Sequence, residues 1–181
     1  EHYEAIGEAA MYGPKIDFIT HDSLKREWQV ATIQLDRNMP ERFKLTCTNE
    51  DNKEESVVML HAAITGSIER FIAILIEHLG GNFPLWCSPV QIKIMSVGAS
   101  HIEFCKNLKK EFIEQNLRIE LDDGSETIGN KIRKNATQRI PYTLVIGDKE
   151  MNSKKLSVRV RGQKDLLEID KSEFVAKIKE D

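Results

Sequence analysis

Gly80-Gly-Asn-Phe-Pro84 and Ser88-Pro89 cut the chain near its middle. Glycine frees the backbone, and proline removes a donor and fixes φ, so no helix or strand runs through such a stretch. The 181 residues are thereby divided into two segments of similar length. At roughly 100–200 residues per domain, the length alone allows one large domain or two small ones, and the break favours two. Charge changes at the same place. Residues 1–89 carry 8 Lys/Arg against 14 Asp/Glu, a net −6, whereas residues 90–181 carry 18 against 15, a net +3. Between Lys131 and Arg161 nine basic residues face two acidic ones. Such an excess suits a polyanion such as nucleic acid, and equally a solvated basic face.

Composition excludes several classes. With 40% hydrophobic and 30% charged residues, the chain is too apolar to be disordered. The longest uncharged apolar run near the middle is Phe71–Ile76, far short of the ~20 residues that span a membrane. The chain opens at Glu1 with no apolar signal region, so nothing marks it for export. Cys47, Cys87 and Cys105 are odd in number and lack metal or redox spacing. They read as thiols in a reducing compartment, hence a cytoplasmic protein.

Periodicity differs between the halves. Lys15–Thr20, Trp28–Asp36 and Ser56–Ala63 read as strands, with polar Asn49–Glu55 as the hairpin loop between the last two. After Thr65-Gly66-Ser67 the period becomes helical, and Ile68, Phe71, Ile72, Leu75, Ile76 and Leu79 form one side. Ser67 suits the N-cap, and Glu69 suits the positive end of the helix. The second half alternates: strand Val90–Met95, helix His101–Gln115, strand Leu117–Leu121, helix Glu126–Arg139, strands Tyr142–Ile146 and Ser157–Arg161, helix Lys171–Lys179. That order, β-α-β-α-β-β-α, predicts a layered α/β domain with a mostly parallel sheet.

Three segments of the first half carry more than a fold class. They are Glu8-Ala-Ala-Met-Tyr-Gly-Pro-Lys-Ile-Asp17; Trp28-Gln-Val-Ala-Thr-Ile-Gln-Leu-Asp36 with Met39-Pro-Glu-Arg-Phe43; and Met59-Leu-His-Ala-Ala-Ile-Thr-Gly-Ser-Ile-Glu-Arg-Phe71. In this order and spacing they resemble the threonyl-tRNA synthetases, and the third resembles the third signature motif of class II aminoacyl-tRNA synthetases. In the second half, Ile128-Gly-Asn-Lys-Ile-Arg133, Arg139-Ile-Pro-Tyr142 and Val145-Ile-Gly-Asp-Lys-Glu150 resemble the anticodon-binding domain shared by the threonyl, prolyl, histidyl and glycyl enzymes. The resemblance implies an α/β chain, α+β overall. Residues 1–83 would be the C-terminal part of a class II catalytic core, a partial antiparallel sheet with a motif-3-type helix. Residues 84–181 would be a mixed-sheet anticodon-binding domain.

The implied activity is ATP-dependent ligation of L-threonine to tRNA(Thr) through a threonyl-adenylate, with Mg2+ accompanying ATP and a homodimer for the full-length enzyme. A guanidinium in the first turn of a helix can bind phosphate or stack on a purine. The resemblance makes Arg70 the catalytic group at ATP, stabilising charge on the transferring phosphates. It assigns Lys15, Gln29, Thr32 and Ser67 to ATP, and Tyr12 and Gln34 to threonine. It makes His61 one of three protein ligands of a zinc ion, with a Cys and a second His upstream of Glu1. It places Glu150 and Arg159 at anticodon bases, with the basic stretch from Lys131 meeting the stem phosphates. Strand alternation puts Thr32 and Gln34 on one side and Gln29 on the other, unless a bulge intervenes. The alternating arginines Arg159 and Arg161 share one side of their strand.

The chain departs from the family pattern at Ala62, usually Arg; at Lys25, usually Gly; at Arg37, usually aromatic; and at Cys47, commonly Tyr. It also has Gly124-Ser125-Glu126 where Arg-Asn-Glu is usual. The first two class II motifs and the editing domain are not among these residues. An alternative is therefore a non-catalytic tRNA-binding fragment or module from a split or decayed synthetase gene. On either reading the 181-residue chain alone is expected to bind tRNA and not to charge it.

Overall fold

A computed structural model describes residues 2–153 and 155–180, and the chain divides into two compact units, Glu1–His78 and Leu79–Asp181. In the first, β1 (Lys15–His21) and β2 (Glu27–Asp36) form an antiparallel hairpin. β5 (Met59–Ala63) adds antiparallel on the other edge of β2, giving the order β1-β2-β5. Between β2 and β5 lie a five-residue helix α1 (Asn38–Arg42) and a separate ribbon of β3 (Thr46–Thr48) and β4 (Glu54–Ser56). The polar segment therefore turns within that ribbon, and does not join β2 to β5 directly. The helix α2 (Ile68–Leu79) follows, started by the Ser67 hydroxyl, which accepts the Arg70 backbone N–H at 3.4 Å.

β1 and β2 are not in simple register. Asp17 faces Thr32 and Phe18 faces Ala31, but Ile19 faces Gln29, which leaves Val30 as an extra residue on β2. This is a β-bulge. One close approach also fixes the entry to β1. A Cβ on Gly13 would lie 2.0 Å from the Leu35 carbonyl oxygen, so only glycine lets the Gly13-Pro14 turn sit against β2.

The second unit is a five-stranded mixed sheet in the order β10-β9-β8-β6-β7. Its strands are β6 (Ile92–Ser96), β7 (Ile119–Asp122), β8 (Tyr142–Ile146), β9 (Lys155–Val160) and β10 (Leu166–Asp170). β6 pairs parallel with β7 and with β8, while β8–β9 and β9–β10 are antiparallel. The sheet is mixed, as the resemblance implies; the periodicity alone suggests a mostly parallel one because it does not mark β10, which adds a second antiparallel pair. The helices are α3 (Ile102–Glu114), α4 (Ile128–Gln138), the short α5 (Asp148–Met151) and α6 (Lys171–Glu180). Ile92, Ile94, Leu144, Ile146 and Val158 of the sheet pack with Cys105, Leu108 and Phe112 of α3 and Phe174 and Ile178 of α6.

That cluster lies wholly within Leu85–Ile178. In the first unit Ile16, Phe18, Ile33 and Leu60 remain exposed, and α2 buries none of its residues fully. Cys47 is exposed, Cys87 half-buried and Cys105 buried, and all three thiols are free. Among the described residues no helix is long and apolar enough to cross a membrane.

Candidate functional site

Alternation along β1, β2 and β5 gathers polar side chains on one sheet face. Lys15 lies opposite Gln34, Asp17 opposite Thr32, and Gln34 opposite His61. The centre of the face is Asp17. Lys15 Nζ donates to its Oδ2 at 2.5 Å, while Thr32 Oγ1 and Gln29 Nε2 both donate to its Oδ1 at 2.7 Å. Gln29 therefore shares the face of Thr32, against plain alternation, because the Val30 bulge turns it over. The Lys15 ammonium, helped by Thr32, holds the Asp17 carboxyl below the usual carboxylate range despite partial burial.

Further along the same face, the Tyr12 hydroxyl donates to Gln34 Oε1, and the Tyr12 ring lies 5.5 Å from the His61 ring. His61 Nε2 is 2.9 Å from Asp36 Oδ2. Asp36 is 1% exposed, and its other oxygen, Oδ1, accepts the backbone N–H groups of Asn38 and Met39, each at 2.9 Å. These donors, His61 first, hold the Asp36 carboxyl below its ordinary value. Asp17 thus gathers Lys15, Gln29 and Thr32, Asp36 holds His61, and Tyr12 and Gln34 bond to each other on the same face. Each carboxylate closes one of the motif segments, yet nothing in the sequence assigns it a role.

Arg70 is exposed in the first turn of α2, and none of the described residues pairs with its guanidinium. It is therefore not tied up in a surface ion pair. Ser67 serves the helix start, its hydroxyl also donating to Glu69 at 2.8 Å. Ala62 pairs with Ile33 and so alternates to the face opposite His61. Arg37 is exposed, and its backbone N–H donates to the Tyr12 carbonyl at 3.3 Å. A cavity of about 310 Å³ lined by Thr20, Trp28, Val30, Phe71, Ile74 and Leu75 includes none of the polar-face residues. It is the crevice between sheet and helix, not the polar site.

In the second unit, Arg159 is exposed on β9, with Ser157 on the same strand side. Glu150 is 8% exposed: its Oε2 accepts the Gly147 N–H at 3.1 Å and its Oε1 accepts the Ser157 hydroxyl at 2.6 Å. Its carboxylate thus ties the start of α5 to Ser157 of β9. Arg161 is held elsewhere, its guanidinium donating to the carbonyls of Arg139 and Phe83 at 2.8 and 2.7 Å. Lys131 is 2% exposed, and its ammonium donates to the carbonyls of Ser96 and Asp122 at 3.0 and 3.2 Å. That corrects the reading of the basic stretch. Lys131 ties the ends of β6 and β7 together and is withdrawn from any phosphate. Ser125 lies exposed in the loop after β7. Among the described residues no group of three His, Cys, Asp or Glu is placed to hold a metal.

Residues 91–181 match the family described as "Anticodon binding domain", and residues 3–79 match "tRNA synthetase class II core domain (G, H, P, S and T)". A threonine–tRNA ligase of Clostridium novyi is 51% identical over 175 residues, 97% of this chain and 28% of that protein. A threonine–tRNA ligase of Thermotoga petrophila is 47% identical over 169 residues, 93% of this chain and 26% of that protein. Among solved structures, the RNA binding domain of threonyl-tRNA synthetase from Cryptosporidium parvum superposes with a TM-score of 0.84 at 35% identity, covering 96% of this chain and 44% of that one. The chain thus spans little more than a quarter of the length of these curated relatives.

Proposed function

This chain belongs to the class II aminoacyl-tRNA synthetases, and from that premise we propose that it serves the ATP-dependent ligation of L-threonine to tRNA(Thr) through a threonyl-adenylate. Residues 1–83 supply part of the catalytic core, and residues 84–181 read the anticodon. The observation that carries the reading is the polar face of β1, β2 and β5. There a bulge and one shared carboxylate bring Lys15, Gln29 and Thr32 to a single place.

On this reading Lys15, Gln29, Thr32 and Ser67 hold ATP. Arg70, free of carboxylates among the described residues, meets the charge that develops on the transferring phosphates; Mg2+ accompanying ATP would supply further charge stabilisation there. Tyr12 and Gln34 receive threonine. Holding the reacting carboxylate and phosphate together removes entropy from the step before it begins. His61 is the ligand this chain gives to zinc. It fits that task because one imidazole nitrogen is engaged by a buried carboxylate while no described residue bonds the other. Bound zinc would take the amino and hydroxyl groups of threonine and so exclude valine, a discrimination apolar packing does not supply. A Cys and a second His from elsewhere in the full-length enzyme complete the set.

In the second unit Arg159 and Glu150 meet unstacked anticodon bases, the Glu150 carboxylate being held in place by the Gly147 N–H and the Ser157 hydroxyl. The setting is cytoplasmic and the full-length enzyme a homodimer. The 181-residue chain alone binds tRNA, more weakly as salt rises, without charging it.

ATP–pyrophosphate exchange on the full-length enzyme is expected to require threonine and zinc, and Arg70→Ala to lower it by about 100-fold or more. Exchange supported by another amino acid and not by threonine would overturn the assignment.

A further inference from the structure

We infer that Asp36 is a positioning residue for His61: it commits the imidazole to the Nε2–H tautomer and leaves Nδ1 as the atom that coordinates metal. The inference rests on the zinc reading above but makes a separate claim, about which nitrogen is used and what selects it.

The geometry begins with the register. Gln34 and His61 are direct cross-strand partners, and Asp36 lies two residues beyond Gln34 on the same face of β2. That diagonal offset is within reach of longer side chains, and it brings Asp36 Oδ2 to 2.9 Å from His61 Nε2. Oδ1 is already committed to two backbone N–H groups at the start of α1. An ionised carboxylate only accepts, so the Nε2 of a neutral His61 must carry the proton and Nδ1 must carry the lone pair. Which ring nitrogen is free to ligate is set by the bond the other makes.

Burial makes that choice firm. Asp36 is 1% exposed, while the His61 side chain is 44% exposed. The carboxylate is the fixed member and the imidazole the member being aimed. The Tyr12 ring, 5.5 Å away, lies beside the imidazole, and its hydroxyl is anchored on Gln34. Nδ1 has no bonding partner among the described residues. The ring is thus gripped at Nε2 and open at Nδ1.

The test is Asp36→Asn. The amide oxygen still caps Asn38 and Met39, so α1 keeps its start. The amide NH2 now faces Nε2 and donates to it, which moves the ring proton to Nδ1. Long-range 1H–15N spectra of the 181-residue chain, labelled at histidine and recorded at pH 8, report the tautomer without metal or substrate. The expected result is an unprotonated Nδ1 at His61 in the natural chain and an unprotonated Nε2 in Asp36→Asn. On the full-length enzyme, chelator competition is expected to show zinc held about 10–100-fold more weakly in Asp36→Asn. An Nδ1–H tautomer in the natural chain, an unchanged tautomer in the variant, or zinc bound through Nε2 in a crystal of the loaded enzyme would each overturn the inference. Normal zinc retention in Asp36→Asn would do so as well. If the natural full-length enzyme holds no zinc while the spectra come out as expected, the zinc reading fails and the positioning of His61 stands.

Discussion

Asp17 shows how one residue gathers the side chains of a candidate site. Its two oxygens take three donors, from Lys15, Gln29 and Thr32, and all three are groups we assign to ATP. Asp17→Asn replaces one acceptor oxygen by a donor that faces the Lys15 ammonium. A charge-assisted hydrogen bond contributes about 1.5–3 kcal/mol, so exchange assays on the full-length enzyme should show the apparent ATP affinity falling by roughly tenfold. The pH dependence follows from the direction of the Asp17 shift. Its folded value is lowered, so the ionised form and its stabilisation are present above the ordinary carboxylate range and are lost as pH falls through the folded value. The defect should therefore be constant from pH 6 to 8. A gap that opened or closed across neutral pH would mean that some other group governs Lys15. The donors are legible in the sequence and this acceptor is not. Lys15, Gln29 and Thr32 stand in recognisable motifs, whereas what joins them is a contact between strands.

At the scale of elements, the strand and helix periods were legible and the irregularities were not. Apolar alternation exposed β1, β2 and β5, and a 3.6-residue period exposed α2 and α3. The Val30 bulge leaves only a change of phase in the sequence, apolar Trp28 and Val30 giving way to Ile33 and Leu35; pairing with β1 identifies the extra residue. β10 went unread because it runs straight into α6 with no turn signal between Asp170 and Lys171. The β1–β2 turn holds a different irregularity. Lys25 has φ +61° and donates its N–H to the Asp22 carbonyl at 2.9 Å, while Asp22 Oδ1 takes the N–H groups of Leu24 and Arg26. A left-handed residue with a Cβ costs roughly 1–2 kcal/mol, a cost that glycine does not carry. Lys25→Gly gives back part of that advantage through greater unfolded-chain entropy. The net gain should be about 0.5–1 kcal/mol, read as a higher urea midpoint for the first unit with an unchanged slope. A lower midpoint would show that the Lys25 side chain contributes more than its backbone costs.

At the scale of the whole chain, the two units differ in how much apolar surface they bury. The fully buried core cluster runs from Leu85 to Ile178, and β6 is buried at every position. In the first unit the sheet leaves Ile16, Phe18, Ile33 and Leu60 exposed, and α2 shows Ile68, Ile72 and Ile76 as an open apolar stripe. At roughly 25 cal/mol per Å² of apolar surface removed from water, burial of this kind is the main term opposing chain entropy. Amide exchange opens regions with few buried contacts at lower free energy than well-packed cores. In the 181-residue chain, amides of β6, β7, β8 and α3 should therefore exchange at the limit set by global unfolding of the second unit. Those of β1, β2, β5 and α2 should exchange at least ~100-fold faster, a difference of about 2.7 kcal/mol. On the function proposed above, further parts of the catalytic core in a full-length enzyme pack on those exposed faces, so the protection of β2 and α2 there should rise towards that of β6. Equal protection of β2 and β6 in the 181-residue chain would show that the polar face, with Asp17 and Asp36 as its fixed points, holds the first unit together without an apolar core.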